Sequence, residues 1–340
     1  MENIVIWKEI HSLAAELYLI APWKYMEETD TFGVKTASTG KTYFISIMGS
    51  AGQVRAVSAY EGNNALEQFW ELENHPDIEP ETIMLIPHIM LSFDNKKNID
   101  NTQKEIFKKT GLHPGKLKEW PDLKRVIPGL VPAIPGRSSL NDFNEILVQV
   151  LHVCSRARHN IGFIHPDGND DETYLIREPV TKVGKTVWHD KYRQVLPKPE
   201  SFKATIKQQD IDSLRFLRKA PVVFQADYRL IPTPIREKNL PEYFPFVVMI
   251  ADKKSGIIEG FETVTPFPDY HSMVEKVPLN IVNSLRKLRF RPMRIEVKDQ
   301  ILYELLHPAL TRSEINVTLM PSLGTIDEAY EGLIGHLGKG

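Results

Sequence analysis

Phe246-Val-Val-Met-Ile-Ala251, then Asp252-Lys-Lys-Ser-Gly256, then Ile257-Ile-Glu-Gly-Phe-Glu-Thr-Val264 is the stretch whose reading decides the fold. Two apolar, β-branched runs flank a polar turn that ends in glycine, which is a hairpin signal. Upstream, residues 222–230 read as a further strand, and Pro232, Pro234 and Pro241 make a loop of what lies between. Downstream, 279–288 carries the period of a helix, 293–297 a strand, 301–310 a helix, 315–319 a strand and 326–337 a helix. From the hairpin onward the order is β-β-α-β-α-β-α. Strands alternating with helices after a hairpin imply an α/β domain, a mixed sheet with right-handed crossovers and helices over it.

Working back toward the N-terminus, the pattern changes. Ile6, Ile10, Leu13, Leu17 and Ile20 fall at steps of three and four, so 4–20 is an amphipathic helix that Ala21-Pro22 stops. Residues 32–35, 41–48 and 53–60 are short aromatic and β-branched runs separated by Ser38-Thr-Gly40 and Gly49-Ser-Ala-Gly52, a three-stranded antiparallel meander. Helices are expected at 63–73, 102–110 and 139–159, and strands within 82–93 and at 173–180 and 186–195. Between His113 and Gly136 five prolines exclude a regular helix or a central strand. Pro197 and Pro199 suggest a boundary, giving an α+β domain over 1–199, with the Pro-rich segment 113–136 inside it, and the α/β domain over 200–340. A helix at 210–219 serves as the connector.

The chain has 340 residues, 42 Lys and Arg against 44 Asp and Glu, and a formal net charge of -2. That excludes a strongly basic nucleic-acid coat and an acidic tail. One cysteine, Cys154, supports neither an intramolecular disulfide nor a multi-cysteine zinc site. The first residues lack the pattern of a signal peptide and no apolar run approaches the ~20 residues of a membrane span. A cytoplasmic setting without membrane partners is the expectation.

Several familiar signatures fail on their spacing. Gly40-Lys41-Thr42 and Gly184-Lys185-Thr186 lack the preceding glycine of a phosphate loop, holding Lys35 and Pro179 there. No dinucleotide glycine pattern, nucleophile elbow or metalloprotease histidine pair occurs. Asp167, Asn169, Asp171 and Glu178 approach a calcium loop, but Glu172 replaces the sharp-turn glycine. His152 and Cys154 are two residues apart on a helix and do not face each other.

Three acids stand at more suggestive places. Ala251-Asp252-Lys-Lys-Ser-Gly256-Ile-Ile, Ile295-Glu-Val-Lys-Asp299 and Pro321-Ser-Leu-Gly324-Thr-Ile-Asp327-Glu328 resemble the acid-bearing segments of the ribonuclease H-like fold of integrases and transposases. The resemblance implies catalytic Asp252, Asp299 and Asp327 or Glu328, with Asp252, Asp299 and Asp327 holding Mg2+ or Mn2+. Such a set activates water and steadies the leaving oxygen of a phosphodiester. Arg286, Lys287, Arg289, Arg291 and Arg294 are then phosphate contacts. Each acid also has a local use: Asp252 opens a turn, Asp299 caps a helix, and Thr325 with Glu328 forms a capping box.

A second resemblance runs along nearly the whole chain. Trp7, Ala21-Pro22-Trp23, Asp30, Phe32, Ile47-Met48-Gly49, Gly52, Tyr60-Glu61-Gly62, Arg291-Pro292, Ile295, Val297 and Asp299 are similar to a family of uncharacterised two-domain bacterial proteins. It implies a bacterial, cytosolic setting and no particular activity. The expectation is a non-catalytic binding or interaction protein, not an enzyme and without cofactor, whose C-terminal domain is an inactive ribonuclease H-like unit. Its partner is another protein, and Trp23, Tyr60, Trp70 and Trp188 are candidates to line a groove. The alternative is a divalent-metal-dependent nuclease, with nucleic acid as partner.

Overall fold

A computed structural model of the chain describes residues 2–52, 54–75, 80–111, 117–165, 172–182, 184–198 and 200–337. Two mixed sheets organise it, and the chain divides into two compact units: Met1–Ile127 with Pro132–Lys198, and Pro199–Gly340 with Pro128–Val131. Asp167, Asn169 and Asp171 of the calcium-like loop, and His113 and Pro114, lie outside the described residues.

In the first unit α1 (Glu2–Ile20) buries Trp7, Ile10, Ala14 and Leu17, a stripe centred slightly off the one the spacing predicts. Ala21 in the left-handed region and Pro22 end it. The strands β1 (Phe32–Lys35), β2 (Thr42–Met48) and β3 (Arg55–Glu61) are successive antiparallel neighbours. α2 (Gly62–Asn74) precedes β4 (His88–Asp94), and α3 (Asn101–Thr110) is capped by Asp100, whose side chain accepts from the Gln103 amide at 2.8 Å. Gly111, left-handed, closes that helix.

The strand β5 (Trp120–Val126), which the sequence reading did not place, lies in the Pro-rich segment as an edge strand and not the central strand that the prolines exclude. It tolerates Pro121 because it is the edge of the sheet and pairs along its length only with β4. The helix α4 (Arg137–Ala157) and strands β6 (Thr173–Lys182) and β7 (Lys185–Gln194) complete a sheet ordered β5-β4-β3-β2-β1-β6-β7, in which only β1 with β6 is parallel. One face packs on α1 and α4; the other carries Phe44, Tyr60 and Tyr174 under Leu66 and Phe69 of α2. The Thr36–Gly40 turn is clamped onto α4. Buried Asp142 accepts from Ser38 Oγ (2.5 Å), Thr39 Oγ1 (3.0 Å) and Tyr43 OH (2.9 Å), while Glu145 accepts from the Ala37 and Ser38 amides. That turn is where Gly40-Lys41-Thr42 falls.

In the second unit α5 (Gln208–Arg215) stops earlier than the sequence suggests and β8 (Arg218–Leu230) begins where a helix was expected. Pro221 explains it, since a residue before proline is driven to extended backbone. β8 then absorbs Pro221 at a register shift opposite Pro292 to Arg294. There follow β9 (Phe246–Asp252), β10 (Ile258–Val264), α6 (Tyr270–Val274), α7 (Val277–Lys287), β11 (Phe290–Val297), α8 (Gln300–Thr311), β12 (Asn316–Leu319) and α9 (Gly324–Leu337). The sheet runs β10-β9-β8-β11-β12, antiparallel across β10, β9 and β8 and parallel across β8, β11 and β12. α7 packs on β9, β10 and β11, where Gly260 leaves room for Ser284: a Cβ there would lie 3.0 Å from the Ser284 Cβ. α9 covers the other face, over β8 and β9. Among the described residues no helix is long and apolar enough to cross a membrane.

Candidate functional site

On the face of β8 that meets α9, every second residue is polar. Gln225, Asp227 and Arg229 point the same way, because strand side chains alternate, and Gln225 and Asp227 are only 3% and 6% exposed. Burying such groups is costly unless each is paired. Arg229 donates from Nε to Asp227 Oδ2 at 2.9 Å and from a terminal nitrogen to Asp327 Oδ1 on the first turn of α9. Its guanidinium also sits over the Tyr330 ring, 5.1 Å from the centroid, and Tyr330 donates to the Leu230 carbonyl.

One register step down the sheet lies a second knot. Glu296 of β11, 1% exposed, accepts from Lys253 Nζ (3.0 and 2.9 Å) and from Gln225 Nε2 (3.3 Å), and pairs with Arg294 at 3.0 Å. Burial alone would raise its carboxyl, but the hydrogen bonds and charges of Lys253, Gln225 and Arg294 outweigh it and hold the group below its ordinary value. Gln225 Oε1 accepts the Thr325 amide at 3.0 Å, which ties the start of α9 to β8.

Asp299 caps α8, accepting the Leu302 amide at 2.6 Å. Burial pushes its carboxyl up to about 6; the cap bond opposes that, and the neighbouring charge of Asp227 adds to it. β11 is parallel to β8 with Glu296 opposite Gln225, so Asp299 emerges at the Asp227 end of the sheet. Asp252 does not. It pairs with Phe224, three residues from Asp227 along β8, which is about 10 Å of strand. The odd spacing also turns it to the opposite face. There its Oδ1 accepts from the Lys254 and Ser255 amides (2.9 and 2.7 Å) and Ser255 Oγ, and the Ser255 amide leads the causes that lower its carboxyl.

The acids read from the sequence are thus only partly assembled. Asp299 and Asp327 lie near Asp227, Asp252 stands apart in its own turn, and Glu328 is exposed. The capping box at Thr325 and Glu328 is replaced by Asp327 reaching back to the Leu323 amide at 3.3 Å. Arg286, Lys287, Arg289 and Arg291 cluster around the start of β11, away from these acids, and Arg294 is held by Glu296. Sequence reasoning missed Asp227 and Arg229. Their signal was present, polar residues at every second position of a strand that is apolar at Phe224, Ala226 and Leu230.

Among the described residues no group of three or more His, Cys, Asp and Glu has the arrangement to hold a metal ion. Nor do the proposed groove aromatics form a groove. Trp23 and Tyr60 are in the core, Trp70 donates to Tyr174 OH at 2.7 Å, and Trp188 donates to the Lys35 carbonyl. Cys154 is fully buried, which pushes its thiol up to about 12, while His152 is exposed.

Two family models match the chain. Domain of unknown function (DUF7309) matches residues 7–177, and Domain of unknown function (DUF6930) matches residues 210–334, the part that contains Asp227, Arg229, Asp299 and Asp327. No curated protein matches it. Since the first of these models spans half of the 340 residues, the chain belongs to the DUF7309 family.

Proposed function

We propose that the second unit is a ribonuclease H-like module that carries out no hydrolysis and serves the chain as a binding or interaction module. What supports the architecture is the sheet order, three antiparallel strands followed by two parallel ones, with helices before each parallel strand and after the last. On this reading the acid of the leading strand is Asp227, not Asp252, because β8 is the strand beside β11 and Asp299.

The observation that carries the absence of chemistry is Arg229. A nuclease site of this kind needs carboxylates free to share divalent cations. Here a guanidinium is bonded to Asp227 and Asp327 at once and fixed over Tyr330, so the positive charge between the acids is already supplied by the protein. Mg2+ or Mn2+ would have to displace a cation that is itself largely desolvated, its side chain 9% exposed. The residues present therefore do not fit a two-metal centre.

The test is a cleavage assay on labelled single- and double-stranded DNA and RNA with Mg2+ or Mn2+, in parallel with thermal melting. No cleavage and no metal-dependent rise in Tm are expected. Cleavage that disappears in both Asp227→Asn and Asp299→Asn would overturn the proposal and restore the metal-dependent nuclease.

A further inference from the structure

Two short basic runs, Arg215-Phe-Leu-Arg-Lys219 and Arg286-Lys-Leu-Arg-Phe-Arg291, lie far apart in sequence and side by side in the sheet. The parallel register of β8 and β11 sets Arg218 opposite Phe290 and Lys219 opposite Arg291. Seven cations are thereby gathered at one end of the strands. Arg286 is paired with Asp210, and Arg291 with Glu314. The other five, Arg215, Arg218, Lys219, Lys287 and Arg289, are exposed and have no ion-pair partner among the described residues. Amid them Phe216 is 90% exposed, the most exposed large apolar side chain among the described residues. Arg289 holds its place with a φ of 57°, in the left-handed region that glycine would occupy more easily.

We propose that this surface binds single-stranded nucleic acid, with the cations on successive phosphates and Phe216 stacked on a base. Uncompensated cations in a row suit a polyanion, and most of them are Arg, whose planar fork matches phosphate oxygens. A lone projecting ring offers a stacking platform only to a base that is not already stacked in a duplex, which selects a single strand. It is too little apolar surface to anchor a lipid interface, which requires a whole hydrophobic helix face. The site is roughly 30 Å along β8 from Asp227, so it is independent of whether the acid network is catalytic.

The test uses the full chain and a fluorescein-labelled oligothymidylate, read by fluorescence anisotropy between about 50 and about 200 mM salt. Binding that weakens steeply with salt is expected. Phe216→Ala should weaken it roughly tenfold without changing the salt slope. The double variant R218Q/K219Q should lower the slope by about 1.4, at about 0.7 per lost phosphate contact. Circular dichroism of both variants checks that these surface changes leave the fold intact. The proposal is overturned by any of three results: no binding at the lowest salt, binding indifferent to both variants, or a duplex of the same length bound as tightly. Association with phosphatidylserine vesicles in the absence of oligonucleotide binding would likewise overturn it and mark a membrane-facing patch instead.

Discussion

Asp299→Asn should make the protein more stable at alkaline pH, which is unusual for a half-buried group that caps a helix. The wild-type carboxyl is raised from 3.8 to about 6, chiefly by burial. In the folded state it therefore binds its proton more tightly than in the unfolded chain. Stability due to this group is fully present below about pH 4, declines as pH rises, and is lost above about pH 6. A shift of about two units corresponds to about 3 kcal/mol of penalty for carrying the charge when folded. Asparagine keeps an oxygen for the Leu302 amide, so the cap survives, and the lost charge assistance costs about 1 kcal/mol. A net gain of about 2 kcal/mol at about pH 8 follows, with little or no gain at about pH 4. All five tryptophans lie before residue 199, so none belongs to this unit. The assay is amide hydrogen exchange of peptides from β8, β11 and α8 at graded urea, at both pH values. A variant that is destabilised at alkaline pH, or changed equally at both, would mean that burial does not raise the Asp299 carboxyl.

Other outcomes follow from the same structure. Arg229→Met removes the opposite charge beside buried Asp227 and should cost about 3 kcal/mol in urea unfolding, much of it recovered by adding Asp227→Leu. Gly33→Ala should cost about 1 to 3 kcal/mol by overpacking, since its Cβ would lie 2.9 Å from Ile176 Cγ1 and 3.4 Å from the Phe44 ring; a differential-scanning midpoint measures it. Cys154 should resist iodoacetamide in the folded protein even at about pH 9 and react fully in denaturant, as mass spectrometry would show, because its thiol is buried and pushed up to about 12.

Much of the architecture is legible because local periodicity and packing agree. The period of α1 marks the helix and its buried Ile10 and Leu17, with Ile6, Leu13 and Ile20 only partly covered, and the aromatic and β-branched runs of β2 and β3 are each buried at five successive positions, on both faces of the sheet. The failures have identifiable causes. Prolines concealed β5, since composition cannot say that a strand will be an edge. The run at 210–219 looks helical until Pro221 is weighed, and the four residues that β8 gains over the expected 222–230 bring Arg218 and Lys219 to β11. The acids were harder, because local chemistry gives the same residues to caps and turns as to metal sites. Asp299 serves as a cap and also lies beside Asp227, whereas Asp252 serves its own turn alone. Which acid neighbours which depends on strand register, a long-range property that no local pattern records.

On the reading proposed above, Arg229 occupies the place between the acids that a divalent cation would need. Crystals of the full chain soaked in manganese and measured near its absorption edge test it directly. No anomalous density is expected within coordination distance of Asp227, Asp299 and Asp327, with Arg229 still bonded to Asp227 and Asp327. A manganese peak bridging those carboxylates, with the guanidinium swung away, would contradict it.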